Sequence, residues 1–184
     1  MGHAEAVFGT EAVGTRPLAR RVARAVRLEP DAWQEIARDS GALRQAALVA
    51  VGAAAASALE VAASKGGSLA LALPFAATLV TWPLVAALIW LIANGLRRRL
   101  GFASALRVVG FAMAPFALLV LAAIPIPPLQ AVVRLVAWAL FFAALVAGTR
   151  EAARMDTARA ALVCTLVAVI LFLLAVGAVL VSDR

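Results

Sequence analysis

The chain has no tyrosine, one cysteine and one histidine in 184 residues. Cys164, the single cysteine, excludes an intramolecular disulfide and any cysteine-based metal site. His3, the single histidine, leaves no ligand set for a zinc hydrolase and no base for a serine nucleophile. Acidic residues are scarce too, 10 against 17 basic ones. Within the apolar stretches only Glu60, Arg107 and Arg134 carry charge. Catalysis needs several titratable groups held together, so no enzyme, no metal and no cofactor are expected. No cleavable signal peptide is expected, because about 40 mostly polar residues precede the first apolar run. Glu29, Asp31, Glu35 and Asp39 in that stretch are residues that mitochondrial presequences avoid.

Apolar length is abundant: 65% of the residues are hydrophobic. They fall into runs of about 20, enough to cross roughly 30 Å of hydrocarbon. The reading is an all-α, polytopic membrane protein with five spans, near 43–63, 75–96, 103–124, 130–148 and 158–181. The basic residues are almost all arginine and they alternate with the runs. Seven lie between Arg16 and Arg44, three at Arg97, Arg98 and Arg99, and three at Arg150, Arg154 and Arg159. The loops near 65 and 127 carry only Lys65. Cytoplasmic loops are enriched in Lys and Arg, so the N-terminus is placed inside and the C-terminus outside. Arginine in place of lysine, beside abundant Ala and Val, suits a G+C-rich bacterial genome. The expected location is therefore a bacterial inner membrane, with the C-terminus periplasmic. The net charge of +7 sits at helix ends, where it meets anionic headgroups at roughly 1 kcal/mol each. Nucleic acid is not expected as a partner.

Three parts are expected: a flexible tail over 1–14, a cytoplasmic basic amphipathic arm over 15–41, and a five-helix domain over 42–182. Thr15 and Pro17 suit a helix start. Leu18, Val22, Ala25 and Val26 then recur at helical spacing opposite Arg20, Arg21, Arg24 and Arg27. This predicts a helix lying on the inner membrane surface, against the plainer reading of a solvated charged helix. Arg16, Arg20, Arg21, Arg24, Arg27 and Trp33 are the candidate lipid contacts, with Trp33 at headgroup depth.

The run over 68–96 exceeds one perpendicular crossing, so Pro74 is expected to split off an interfacial piece at 68–73. Pro83 should kink the remainder. Gly52, Ala56, Ala144 and Gly148 are small residues at spacings that let helices approach closely. Residues 149–158 read as a charged inner loop.

The order of parts resembles a known family. A polar arm, a Pro-Asp-Ala-Trp segment at Pro30 to Trp33, five spans and almost no C-terminal tail are similar to the Yip family of Ypt/Rab-GTPase-interacting membrane proteins, which has a large bacterial branch. The most specific stretch is Gly110-Phe111-Ala112-Met113-Ala114-Pro115-Phe116. The Pro-rich turn at 125–128, Trp138 and the charged segment Arg150 to Arg159 add to the likeness, which covers 16–182. The Asp-Leu-Tyr-Gly-Pro segment of eukaryotic members is absent. The resemblance implies a protein that binds partner membrane proteins, or itself, or organises membrane lipid.

Glu60 and Arg134 sit at similar depth near the outer ends of the first and fourth spans. Charges so placed usually face the bundle interior and pair; an ion pair between them is expected, with separate snorkelling as the alternative. Arg107 is expected to snorkel to the inner interface. Cys164 reads as a packing residue. Pro83 and Pro115 could open a small cavity near Ser57, Thr78, Thr81 and Met113, as transporters do. A small transporter, channel or lipid translocator is therefore the alternative function, with no small-molecule substrate indicated.

Overall fold

The computed structural model describes residues 17–65 and 68–182. The expected tail over 1–14, Thr15, Arg16, and Gly66 and Gly67 of the expected loop near 65 lie outside them. Two short helices come first, α1 (Leu18–Val26) and α2 (Pro30–Arg38). Long helices follow: α3 (Ala42–Lys65), α4 (Ser68–Gly95), α5 (Phe102–Ala112) continued by a 3-10 helix (Ala114–Ala123), α6 (Pro127–Ala153) and α7 (Thr157–Ser182). Five stretches are long and apolar enough to cross a membrane: Ala42–Ser64, Ser68–Gly95, Phe102–Ala123, Pro127–Ala153 and Thr157–Gly177. Every chain reversal at the α2–α3, α4–α5 and α6–α7 turns falls at one end of the bundle, which carries the clustered arginines. That end is called here the arginine end.

The third span is the centre of the bundle. Two-thirds of its most apolar stretch is buried, more than in any other span. It packs against α3, α4 and α6. The α3 face that meets it is built of alanine: Ala42, Ala46, Ala50 and Ala53 are all buried. Such faces let backbones come close, which is how helices associate where lipid supplies no hydrophobic drive. Gly110 marks the tightest point. A Cβ there would lie 2.8 Å from Ala46 Cβ and 2.9 Å from the Ala46 carbonyl oxygen.

Two sequence expectations need correction. The residues 68–73 are not a separate interfacial piece; α4 runs unbroken over 28 residues with Pro74 and Pro83 inside it. A proline removes one ladder hydrogen bond, whereas breaking the helix in hydrocarbon would strand several backbone groups. Continuing the helix is the cheaper course, and at about 42 Å it crosses with tilt. The charged loop also shrinks. α6 continues through Arg150 to Ala153, and only Arg154, Met155 and Asp156 link it to α7. Basic side chains suit the last turn of a helix, and Arg150 is held there by Glu151 at 2.7 Å.

The third span is not one regular helix either. It changes from α to 3-10 geometry at Met113. Pro115 has no N–H to continue the α pattern, and Phe116 N–H bonds the Met113 carbonyl at 2.9 Å instead.

Candidate functional site

The arm does not lie apart from the bundle; it is bolted to the arginine end. Trp33 of α2 is 0% exposed. Its ring lies over Gly148 of α6, where a Cβ would come within 2.7 Å of Trp33 Cε3 and 2.6 Å of Val108 Cγ1. Ala37, in the last turn of α2, turns its carbonyl to the third span. It accepts from Ser104 Oγ at 2.8 Å and from Arg107 Nη1 at 2.5 Å. Arg107 therefore does not snorkel. It is buried, and one of its donors satisfies a carbonyl that a helix end leaves open. Gln34 Nε2 completes the docking by donating to Glu151 of α6 at 2.9 Å.

Two of the candidate lipid contacts are corrected by this geometry. Trp33 faces the bundle, its ring filling the slot that the absence of a side chain at Gly148 leaves. Arg21 is 2% exposed. Its guanidinium donates to Glu35 Oε1 at 3.0 Å, Asp39 Oδ2 at 2.5 Å and Gln45 Oε1 at 3.0 Å. Arg24 is half-buried and bonds Glu29 at 2.7 Å. That hydrogen bond is the main reason its pKa lies above the ordinary arginine value. Arg20 and Arg27 stay exposed; Arg16 lies outside the described residues.

Three connections meet at the junction of arm and bundle, around a cavity of about 400 Å³. Arg38 comes from the end of α2, Arg97, Arg98 and Arg99 from the α4–α5 turn, and Arg154 from the α6–α7 turn. Arg97 and Arg154 have positive φ, 59° and 49°. At the other end of the bundle, Arg134 Nε of α6 donates to Glu60 Oε1 of α3. The Glu60 side chain is 11% exposed and the Arg134 side chain 47%.

An arm docked by a Pro-Asp-Ala-Trp segment, five spans, and a central third span with a glycine contact and a proline break form one pattern. The family model for the Yip1 domain matches residues 25–179. The chain belongs to the Yip1 domain family. It is a multi-pass integral membrane protein. Neither a curated protein nor a solved structure matches it.

The family-like stretch of this Yip1 domain occupies the structural pivot. Gly110 makes the Ala46 contact, Phe111 is 1% exposed in the core, and Pro115 begins the 3-10 turn. Beyond that pivot a cavity of about 220 Å³ opens between α4 and α6. Ser57, Thr78, Thr81 and Met113 line it, with the rings of Phe116, Trp138 and Phe141 packed against one another along one wall. The Ser57 and Thr78 hydroxyls bond back to their own helices, at 2.9 Å and 2.8 Å. Cys164 is buried, 3.7 Å from Thr149 Oγ1. No group of three His, Cys, Asp or Glu positioned for a metal occurs among the described residues.

Sequence reasoning missed the Arg21–Glu35–Asp39 cluster, the Trp33–Gly148 slot and the five-arginine cavity. The first had a signal: carboxylates at 29, 35 and 39 follow the arm arginines closely. The other two had none, because their members are far apart in the chain.

Proposed function

We propose that this Yip1 domain protein works by binding rather than by turnover. It holds anionic lipid at its arginine end and engages partner membrane proteins, or a second copy, along its small-residue faces. In this reading it resides in a bacterial inner membrane with the arm and arginine end cytoplasmic and the C-terminus periplasmic. The observation that carries it is the segregation of cations. Arg20, Arg27, Arg38, Arg97, Arg99 and Arg154 are exposed at one end of the bundle, where each attracts anionic headgroups. An apolar groove of about 370 Å³ between α3 and the 3-10 helix, edged by Val22 of α1, supports the second half. Gly52, Ala55, Ala56 and Ala117 line it, and small residues admit a neighbouring helix.

Purification in mild detergent with mass spectrometry of what co-elutes tests this directly. Anionic phospholipid enriched over its share of the membrane is the expected result, with or without a protein partner. Lipid in membrane proportion and no co-eluting protein would contradict it. One observation favours a second reading, transport: the cavity lined by Ser57, Thr78 and Thr81 lies in the middle of the bundle. A solute-flux or conductance assay on reconstituted vesicles separates the two.

A further inference from the structure

Five guanidinium groups around one cavity repel one another unless something anionic sits among them. Arg38, Arg97, Arg98, Arg99 and Arg154 line the 400 Å³ cavity, and Glu151 is the one carboxylate with them. Glu151 is already engaged: Arg150 bonds it at 2.7 Å and Gln34 donates to it at 2.9 Å. Two backbone carbonyls at the cavity are engaged too. The Ala37 oxygen accepts from Ser104 and Arg107, and the Arg154 oxygen accepts from Arg98 Nη1 at 3.4 Å. Asp156 lies near Arg98 but is already paired with Arg159, so the remaining charge at the cavity is positive.

The backbone carries a second, independent sign. Among the described residues three non-glycines have positive φ, and two of them are Arg97 and Arg154. A turn that needs the left-handed region usually takes glycine, which has no Cβ to strain. Here both turns carry an arginine, and both arginines face the same cavity. These left-handed caps end α4 and α6, and they place both arginines at the cavity rather than along a helix. A third sign is shape. A second compartment of about 370 Å³ shares Gln34, Arg38, Glu151 and Arg154 with the first. The site is two-lobed, with Arg38 and Arg154 common to both lobes.

Depth supplies the last sign. Trp90 and Phe102 flank the arginine turn in sequence, both are exposed, and their rings meet edge to face at 6.1 Å. Exposed tryptophan is enriched at the headgroup level of a bilayer, which places Trp90 there.

We infer that the junction of α2 with the α4–α5 and α6–α7 turns is a site for two linked phosphate groups, one per lobe. This inference rests on the lipid-binding reading above and specifies its ligand chemistry. The two phosphates belong either to a lipid headgroup, as in diphosphatidylglycerol, or to a soluble diphosphate.

The test uses the full chain in phosphatidylcholine nanodiscs. One arm adds diphosphatidylglycerol to the discs; the other adds inorganic pyrophosphate to lipid-neutral discs. Arg97→Gln with Arg99→Gln should weaken whichever ligand binds about thirty-fold, at roughly fivefold per cation. Arg97→Lys with Arg99→Lys should stay within a few-fold of the parent, which also shows that the turn tolerates replacement. Arg44→Gln with Arg159→Gln removes the same charge from exposed positions that do not line the cavity, and should weaken binding several-fold less than the cavity pair does. Binding in the first arm identifies the lipid, and binding in the second the soluble ion; either supports the site. Equal losses from the two glutamine pairs would overturn the site while leaving general lipid attraction intact. No preference of the parent protein for either ligand would overturn both.

Discussion

At the scale of single residues, glycines decide where elements meet. Gly148 and Gly110 sit where a methyl group would strike a side chain or a backbone carbonyl, while Gly52 has open space around it. Gly148→Ala should therefore cost about 1–3 kcal/mol through overpacking and should loosen the arm, because Trp33 is the group displaced. Gly52→Ala should be neutral. Unfolding in detergent measures the cost, and protease access to residues 27–40 measures the loosening; equal behaviour of the two variants would contradict the packing account. The Glu60–Arg134 pair is the second residue-scale case. Each partner lies close enough to the other that removing one leaves a charge with poorer solvation. Glu60→Gln and Arg134→Gln should each destabilise, and the double variant should cost less than their sum. Couplings in membranes average about 0.6 kcal/mol and reach about 1.7, so the cycle should return a value in that range; strict additivity would mean that the contact has no energetic weight. Both positions were legible in the sequence, since charge in an apolar run is rare and depth follows from counting. Trp33 was not legible. Its neighbours in sequence suit an interfacial anchor, and only the slot at Gly148, more than a hundred residues away, turns it inward.

At the scale of elements, the spans were legible and their ends were not. Apolar length sets a span, but its limits depend on where backbone groups find partners. α4 keeps 68–73 helical because hydrocarbon penalises unbonded carbonyls more than Pro74 penalises the helix. α6 absorbs Arg150 and Glu151 because they pair with each other. The start of α7 shows the same local logic with a testable consequence. Asp156 Oδ1 accepts from the Arg159 N–H at 2.9 Å, in the manner of an N-cap. That bond, together with the Arg159 charge, holds the Asp156 pKa below its ordinary 3.8. A carboxyl with a depressed pKa stabilises the fold above its unfolded pKa, and the contribution disappears as pH falls through the folded value. Amide exchange over 157–160 should thus be unaffected between neutral pH and about pH 5, once corrected for intrinsic rates. It should speed up below pH 4, and Asp156→Ala, which removes the acceptor, should be fast throughout. Protection that is the same at pH 3 and pH 7 would contradict the cap.

At the scale of the whole molecule, the arm and the bundle form one unit with two unlike ends. One end gathers arginines from three connections and docks the arm through Trp33, Ala37 and Gln34. The other exposes Ser64, Pro125 and Pro127 and pairs its inner charges, Glu60 with Arg134. The alternation of arginine clusters along the sequence is enough to predict this asymmetry. It does not predict that the clusters converge on a shared cavity, since that depends on how the three turns stand around α2. The proposed lipid role requires the arginine end to face the cytoplasmic leaflet, where anionic lipid lowers the surface potential.

Cysteine labelling of the full chain in intact cells tests that orientation most directly. The native Cys164 is 1% exposed and gives a silent background. Ser64→Cys and Arg99→Cys each place a thiol at an exposed position, one at each end. With a membrane-impermeant maleimide, Ser64→Cys should label from outside, and Arg99→Cys only after the membrane is opened. Labelling of Arg99→Cys in intact cells, or of both positions from the same side, would contradict the account.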